Sequence, residues 1–217
     1  MSGAILIIGA GPGIGLAAAE RFGREGWTVV LGARSPHALD AMVARLVGEG
    51  VDAHSLVVDA TDAARVQAAV RNADRLTGGL TTVLYNAAAV RQQDLFSMTD
   101  AEVSSDVAVN ITGGLNTIRA AEAIFAGRGG TILVTGGGLA LSPHAGWASL
   151  GLGKAALRNL VEGLAPDLEP RGIRIAIANV ATLVAPESAE ARGAAETLWS
   201  LAADPASGWE RTWPAAA

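Results

Sequence analysis

The chain contains no cysteine, which excludes disulfide bonds, thiolate metal ligands and a cysteine nucleophile. Aromatic residues make up only 4% of the 217 residues, although 50% of the residues are hydrophobic. The core must therefore be built from alanine, valine, leucine and isoleucine. The absence of cysteine also suits a reducing compartment, so we expect a cytoplasmic protein.

Basic runs are also absent, and the formal net charge is −5. Nucleic-acid binding is therefore a poor hypothesis, because it needs a clustered positive surface. No basic stretch precedes the first apolar run, which ends at Gly9, so we expect neither a signal peptide nor a membrane-spanning segment. The histidines and carboxylates lack the spacings of metal ligands, and no metal site is predicted.

An apolar run, a glycine-rich turn and an alanine-rich helix start follow one another over residues 4–19. A short apolar run that ends at a glycine is typical of a buried parallel strand. The glycines let a ligand approach the backbone, and the amides that open the next helix then face an anion such as a pyrophosphate. Ordinary strands also end in such turns, but the position favours a variant dinucleotide fingerprint. The predicted binding residues are Gly9, Gly11, Gly13, Ile14 and Gly15.

Strand-like and helix-like segments alternate along the chain. This alternation predicts one α/β domain over residues 1–217, with a doubly wound, mainly parallel Rossmann-type sheet of six or seven strands and helices on both faces. The tail, residues 205–217, adds an edge strand or contacts a neighbouring subunit. The predicted strands cover residues 4–8, 28–31, 54–59, 80–86, 129–135 and 174–180, and the later helices cover residues 100–125, 149–168 and 187–201.

The end of the second strand bears on the choice of cofactor. In dinucleotide folds an acid near this point holds the adenine ribose hydroxyls, whereas an arginine suits a 2′-phosphate. Here Ala33 occupies the acid position, and Arg34 and Ser35 follow it. The pattern favours NADP, with NAD as the alternative. The competing interpretation of Arg34 is an ordinary solvated loop residue.

The glycine turn and four further segments resemble the short-chain dehydrogenase/reductase family over nearly the whole chain. The segment Asn86-Ala87-Ala88-Ala89 looks like the family's Asn-Asn-Ala-Gly stretch. The resemblance implies that it lies by the cofactor's ribose region. It further implies that Asp59 and Ala60 contact the adenine and that Leu183 lies near the carboxamide.

The resemblance also implies two residues of the family's catalytic machinery. Asn110 matches the helix asparagine that holds a water in the proton relay, and Lys154 matches the lysine of the Tyr-x-x-x-Lys motif. In the family this lysine lowers the pKa of the tyrosine and binds the nicotinamide ribose. The family's oligomers form through the two helices that here carry these residues, so we expect a homodimer or homotetramer. Alanine-rich faces around Ala120 and Ala155 would permit close helix packing.

The chain departs from the family pattern at the two remaining catalytic positions. Leu150 stands where the family keeps its tyrosine, which is the general acid or base, and Gly137 stands where it keeps the serine. The segment Trp199-Ser200-Leu201 and the later Pro205 and Trp209 resemble the end of a divergent branch that likewise lacks the tyrosine. Neither leucine nor glycine can donate a proton.

Other groups are candidates for the missing proton donor. His144 lies between the fifth strand and the helix of Lys154, where an imidazole can protonate a carbonyl oxygen near neutral pH. The alternative is a solvent-exposed loop histidine. Ser142 and Ser149 lack an evident activating base, and Lys154 itself can act as the acid if its pKa is lowered.

One functional hypothesis is that the cofactor site is lost and the fold is purely structural. Two others, from different classes, keep the nucleotide site. The first is an NADP-preferring oxidoreductase that transfers hydride to a small carbonyl or imine with an atypical or impaired proton donor. The second is a non-catalytic nucleotide-binding sensor or interaction scaffold. A tyrosine restored at Leu150 discriminates between them, because it raises carbonyl reduction only if the rest of the site is intact.

Overall fold

The computed structural model describes residues 3–215, and strands alternate with helices along them. The strands are β1 Ala4–Ile8, β2 Thr28–Ala33, β3 Ala53–Val57, β4 Thr82–Tyr85, β5 Gly130–Gly137, β6 Ile173–Val180 and β7 Glu210–Trp213. The α-helices are α1 Ile14–Arg24, α2 Pro36–Gly48, α3 Ala63–Thr77, α4 Asp100–Val107, α5 Gly113–Phe125, α6 Ala148–Leu168 and α7 Ala189–Ala203.

All strands belong to one parallel sheet with the order β3-β2-β1-β4-β5-β6-β7. This confirms the predicted fold class. The chain moves outward from β1 to β3 and then crosses back to β4 on the other side of β1. Parallel sheets form a ligand crevice at such a switch point, outside the carboxyl ends of the strands. The edge strand expected from the tail is β7, which pairs with β6; Ala216 and Ala217 lie outside the described residues.

Two apolar layers enclose the sheet. Strand β1 is buried along its whole length, and its side chains alternate between the layers, as the pleat of a strand requires. Leu6 packs with α3, α5 and α6, whereas Ile7 packs with α1, α2 and α7. Burial on both faces explains why the run has no polar alternation. The doubly wound arrangement is therefore confirmed.

The predicted helix over residues 100–125 is interrupted. A π-helical turn, Ala108–Thr112, separates α4 from α5 and contains Asn110. Turns of this kind insert one residue into the helical ladder and are frequent at functional sites. A continuous helix was therefore the wrong expectation at this point.

Two smaller expectations also need correction. Helix α7 begins at Ala189 and not at Glu187, because Glu187 has a φ of 58° and the Ser188 hydroxyl accepts a hydrogen bond from Ala191 N at 3.1 Å. Ala120 does not offer a free helix face: it is buried within the subunit in the layer beneath α5. Ala155 is exposed, as expected.

Candidate functional site

A cavity of about 1650 Å³ runs along the carboxyl edge of the sheet. Its walls come from the segments that follow all seven strands, so the cavity crosses the switch point between β1 and β4. Its lining is mostly apolar. The predicted residues that line it are Gly9, Gly11, Gly13, Ile14, Arg34, Ser35, Asp59, Ala60, Asn86, Ala87, Ala88, Lys154 and Leu183.

The glycine turn has a conformation and surroundings that a larger residue would disturb. Gly9 has a φ of 90°, and a Cβ there would lie 2.2 Å from the backbone nitrogen of Ala87. Above Gly11 the space is open, since a Cβ would meet nothing within 4 Å. Gly15 does not line the cavity; a Cβ there would lie 3.0 Å from Ala10 Cα, so this glycine lets the helix approach the turn closely.

The N-terminus of α1 is open to an anion. Gly13 is its N-cap residue, and no side chain caps the helix. The first amides of a helix have no intrahelical partner, and the helix dipole adds positive potential there. Together with the open space above Gly11, this geometry fits a pyrophosphate group.

One end of the cavity, beyond β2 and β3, carries two charged side chains. Arg34 is exposed, and Ser35 caps α2 by accepting a hydrogen bond from Ala38 N at 3.3 Å. Asp59 accepts hydrogen bonds from the backbone N–H and the hydroxyl of Thr61 at 2.9 and 2.8 Å. These bonds hold the pKa of the Asp59 carboxyl below its usual range, and the charge of Arg34 adds to the effect.

Asn86 ties three segments together at the centre of the cavity. Its amide nitrogen donates to the carbonyl oxygen of Gly9 at 2.8 Å, and its side-chain oxygen accepts from the hydroxyl of Thr135 at 2.8 Å. The asparagine thereby fixes the glycine turn relative to β5. Thr135 was missed by the sequence analysis, where it was only the end of a strand.

Lys154 reaches the cavity from α6. The residue is buried, and its Nζ donates to the carbonyl oxygen of Thr135 at 2.8 Å. Burial lowers the pKa of this lysine to about 8. Leu150 lies one helical turn earlier on α6 and also lines the cavity. A Cβ at Gly137 would lie 3.0 Å from Lys154 Cγ, so the bare glycine leaves room for the lysine stem.

Asn110 lies behind the cavity wall. Its side-chain oxygen accepts from Ala89 N at 2.8 Å and its amide nitrogen donates to Ala89 O at 3.0 Å, so both halves of the amide hold the loop after β4. The residue is 3% exposed and does not line the cavity. The catalytic role that the family resemblance implies for Asn110 remains a prediction.

The structure does not bring His144 to the cavity. Its side chain is exposed, and its Nδ1 accepts a hydrogen bond from the backbone N–H of Gly146 at 3.0 Å. The loop position alone suggested proximity, but the chain turns this residue outward. Ser142 lines the cavity, whereas the hydroxyl of Ser149 points away from it, to Asp106 at 2.7 Å.

Sequence reasoning missed a charged network beside the site. Arg91 donates to Asp106 at 2.8 Å and to Glu102 at 2.7 Å, and Asp106 also accepts from Ser149. Asp106 is 2% exposed, and hydrogen bonds from Arg91 hold its pKa below the usual range. In the sequence, Arg91 is an isolated arginine after β4 with no motif around it, so nothing there predicts the network.

Residues 3–215 lack two kinds of feature. No helix there has the length and apolar character that a bilayer crossing needs. No group of three or more histidine or acidic residues in this range is arranged to hold a metal ion.

Comparisons with known proteins agree with the fold. A family model for short chain dehydrogenases matches residues 3–195. The oxidoreductase asL5 of Sarocladium schorii is 33% identical over 192 residues, which cover 87% of this chain and 76% of that protein.

Solved structures of low sequence identity share the fold. A short chain dehydrogenase from Mycobacterium smegmatis superposes with a TM-score of 0.91 at 24% identity, over 100% of this chain and 93% of that one. A metagenomic short-chain oxidoreductase in complex with NADP superposes with a TM-score of 0.86 at 24% identity, over 98% of this chain and 97% of that one.

Proposed function

The chain belongs to the short-chain dehydrogenase/reductase family of NAD(P)-dependent oxidoreductases, and on this premise we propose that it prefers NADP(H) and reduces a small carbonyl or imine with an atypical proton donor. The observation that carries the proposal is Arg34, which lines the cavity beside a glycine turn that is open to an anion, with no acid at the end of β2. The related oxidoreductase that crystallised with NADP is consistent with this choice.

Different residues along the cavity contact different parts of the dinucleotide. The turn Gly9–Gly13 and the first amides of α1 hold the pyrophosphate, and Arg34 meets the 2′-phosphate. Asp59 and Ala60 bound the adenine pocket, while Lys154 holds the nicotinamide ribose and Leu183 covers the carboxamide end. The bound dinucleotide supplies the hydride, and the protein supplies position, charge and a proton.

Calorimetric titration with NADPH and NADH tests the cofactor preference. Arg34→Ala is expected to weaken NADPH binding by about 10–100-fold, because a charge-assisted hydrogen bond to phosphate contributes about 1.5–3 kcal/mol. NADH binding should be unchanged. Arg24→Ala is the matched control, because Arg24 is an exposed arginine at the opposite end of α1. Equal weakening of both nucleotides contradicts the preference for NADP, and no binding of either contradicts the proposed function.

A non-catalytic nucleotide sensor or scaffold is the second candidate. Leu150 favours it, because this buried leucine lines the cavity one turn before Lys154 and has no acidic proton. Leu150→Tyr separates the two candidates, with Leu150→Phe as the control that adds the ring without the hydroxyl. On a reductase scaffold the tyrosine raises carbonyl reduction by about 10²–10⁴, the usual contribution of a positioned acid. A reduction rate no higher than that of Leu150→Phe favours the non-catalytic sensor or scaffold.

A further inference from the structure

The two ends of the cavity differ in their titratable groups. Among the described residues that line it, Arg34 and Asp59 lie beyond β2 and β3, on one side of the switch point. On the other side, Lys154 is the one titratable side chain in the lining. Its surroundings there are apolar residues such as Leu139, Leu150 and Val184, with a few hydroxyl groups.

The other protic groups at this end are poorly suited to donate a proton. The hydroxyl of Thr135 already donates to Asn86, and the hydroxyl of Ser149 donates to Asp106. Ser142 is exposed at the rim, and Thr182 and Thr212 also line this end; the Thr182 hydroxyl donates to Leu183 O at 3.5 Å. An unactivated alcohol is a very weak acid, so none of these hydroxyls replaces a tyrosine.

The ammonium group of Lys154 is held at the cavity wall by a single backbone acceptor. Its hydrogen bond to Thr135 O uses one of three N–H donors, and no carboxylate among residues 3–215 pairs with it. Of the two remaining donors, one can hold a hydroxyl of the nicotinamide ribose and the other an oxygen atom of the substrate. Lys154 is also the only lysine of the chain, among a combined total of 16 lysine and arginine residues.

We propose that Lys154 is the proton donor of this chain and acts directly on the substrate oxygen. The inference rests on the proposed reductase function. In the reaction, the carbonyl carbon gains a hydride from the reduced nicotinamide, and the oxygen takes a proton from Nζ. The products are an alcohol, the oxidised nucleotide and a neutral lysine amine, which regains its proton from water at the open end of the cavity.

The electrostatics support this assignment. Burial lowers the pKa of Lys154 to about 8, so the ammonium predominates at neutral pH and is a much stronger acid than an ordinary lysine.

Strand β5 and the π-turn beside it carry no titratable side chain. On the other elements packed against α6, Asp106 of α4 is engaged by Arg91 and Ser149, and Arg174 of β6 is bonded to Leu201 O and Gly208 O.

Other charged groups lie on α6 and on the elements packed against it. On α5 these are Arg119 and Glu122, and Glu122 is bonded to Arg171. On α4, Glu102 is bonded to Arg91 and Thr99, and Asp100 belongs to the first turn of that helix. On α6 itself, Arg158 pairs with Glu162 and with Glu210 of β7. Asp167, Glu169 and Arg171 follow at the far end of the helix.

The first test measures the lysine without turnover. Because the chain has one lysine, protein labelled with ¹³C at lysine Cε gives a single side-chain signal, whose pH titration reports Lys154 alone. The expected midpoint is about 8, and a midpoint near 10.5 overturns the proposal. Calorimetry with NADPH on the same samples shows whether the nucleotide binds.

The second test follows reduction of benzaldehyde and cyclohexanone under single-turnover conditions with saturating NADPH. The rate is expected to fall as pH rises through the NMR midpoint. Lys154→Arg keeps the charge and the donors but cannot release a proton near neutral pH. It should lose about 10²–10⁴ in rate while NADPH affinity changes by less than about tenfold. His144→Ala, an exposed residue outside the cavity, should keep both the rate and its pH midpoint.

The outcomes separate the inference from the proposed function. If the protein binds NADPH and reduces the probes, but Lys154→Arg keeps the rate or loses it only in step with NADPH affinity, the proton-donor inference is overturned and the reductase function stands. A loss of rate in His144→Ala has the same meaning. If the unaltered protein binds no NADPH or reduces neither probe, the reductase function fails and the inference fails with it.

Discussion

Tyr85 shows how one residue's environment decides between chemistry and structure. It is the only tyrosine of the chain, but it lies in β4, and its hydroxyl donates to the carbonyl oxygen of Val109 in the π-turn. Its ring lies beneath Gly113 and Gly114, where an added Cβ would come within 2.6 Å of the Tyr85 hydroxyl oxygen at the first of them. The tyrosine therefore supports the π-turn and is held away from Lys154.

Tyr85→Phe is expected to lower the free energy of unfolding by about 1–3 kcal/mol near neutral pH, because the buried carbonyl of Val109 loses its donor. Burial, and then the charge of Asp59, raise the pKa of Tyr85. The folded state therefore keeps a proton that the unfolded chain releases above about pH 10, and the tyrosine's contribution to stability is lost as pH rises beyond that value.

Urea unfolding of both proteins near pH 7 and at about pH 11 measures this contribution. The difference between the two proteins should shrink at the higher pH. An unchanged difference would show that Tyr85 does not titrate with unfolding.

At the scale of elements, the alternation of apolar runs and helical patterns was sufficient to predict the sheet and its helices. The π-turn was not predictable in this way, because one inserted residue barely alters helical periodicity. It depends on partners that are distant in sequence: Asn110 clamps Ala89, and Gly153 lets α6 approach so closely that a Cβ there would lie 2.4 Å from Asn110 Cβ.

The candidate site was predictable to a different extent at each residue. The glycine turn, Arg34 and Lys154 follow strand ends or match a motif, so their place along the cavity was foreseeable. The outward direction of His144 and the burial of Ala120 were not, since both depend on how the chain turns in three dimensions. The bonds that Asn86 makes to Gly9 and Thr135 join strands that only the tertiary fold brings together.

The network of Arg91, Asp106 and Ser149 joins three elements, namely the segment after β4, α4 and α6. Arg91→Met is expected to lower the free energy of unfolding by about 2–4 kcal/mol, because it leaves the buried carboxylate of Asp106 without its cation. Arg65→Met is the control: Arg65 and its partner Asp62 are both exposed, so about 0–1 kcal/mol is expected.

The same network predicts a pH dependence. The pKa of Asp106 is lowered in the folded state, first by the hydrogen bond from Arg91. Its contribution is therefore present above the unfolded pKa of about 4 and is lost as pH falls below it. Urea unfolding of the unaltered protein and of Arg91→Met, near pH 7 and near pH 3, should show a smaller difference at the lower pH. A cost no larger than that of Arg65→Met would show that the network is not stabilising.

At the scale of the whole molecule, α5 and α6 cover one face of the sheet together with α3. Gly114 lets the two helices meet closely, since a Cβ there would lie 2.5 Å from Leu157 Cδ2. On the outside, Leu115 is 39% exposed and Leu152 is 54% exposed, and Ala155 lies exposed near the latter. The family resemblance implies that subunits associate through these helices, and exposed leucines on them suit such a contact.

We therefore predict a homodimer or homotetramer, with a mass of at least twice the 21.9 kDa of one chain by light scattering at micromolar concentration. Leu115→Asp combined with Leu152→Asp should shift the protein toward the monomer, because a charge buried between subunits without a partner is costly. Leu76→Asp places the same charge on another exposed leucine, on α3, and should leave the mass unchanged.

A monomer in the unaltered protein would remove the prediction. If Leu76→Asp alone dissociates the oligomer, the subunits associate through α3 and not through α5 and α6.

Lys154 lies on α6, and the first turns of this helix form part of the cavity wall. Association through α6 would therefore pack that wall against a second copy of the chain. The NADPH affinity of the dissociated variant then shows whether nucleotide binding depends on assembly. An affinity equal to that of the unaltered protein shows that each subunit binds NADPH without its partner.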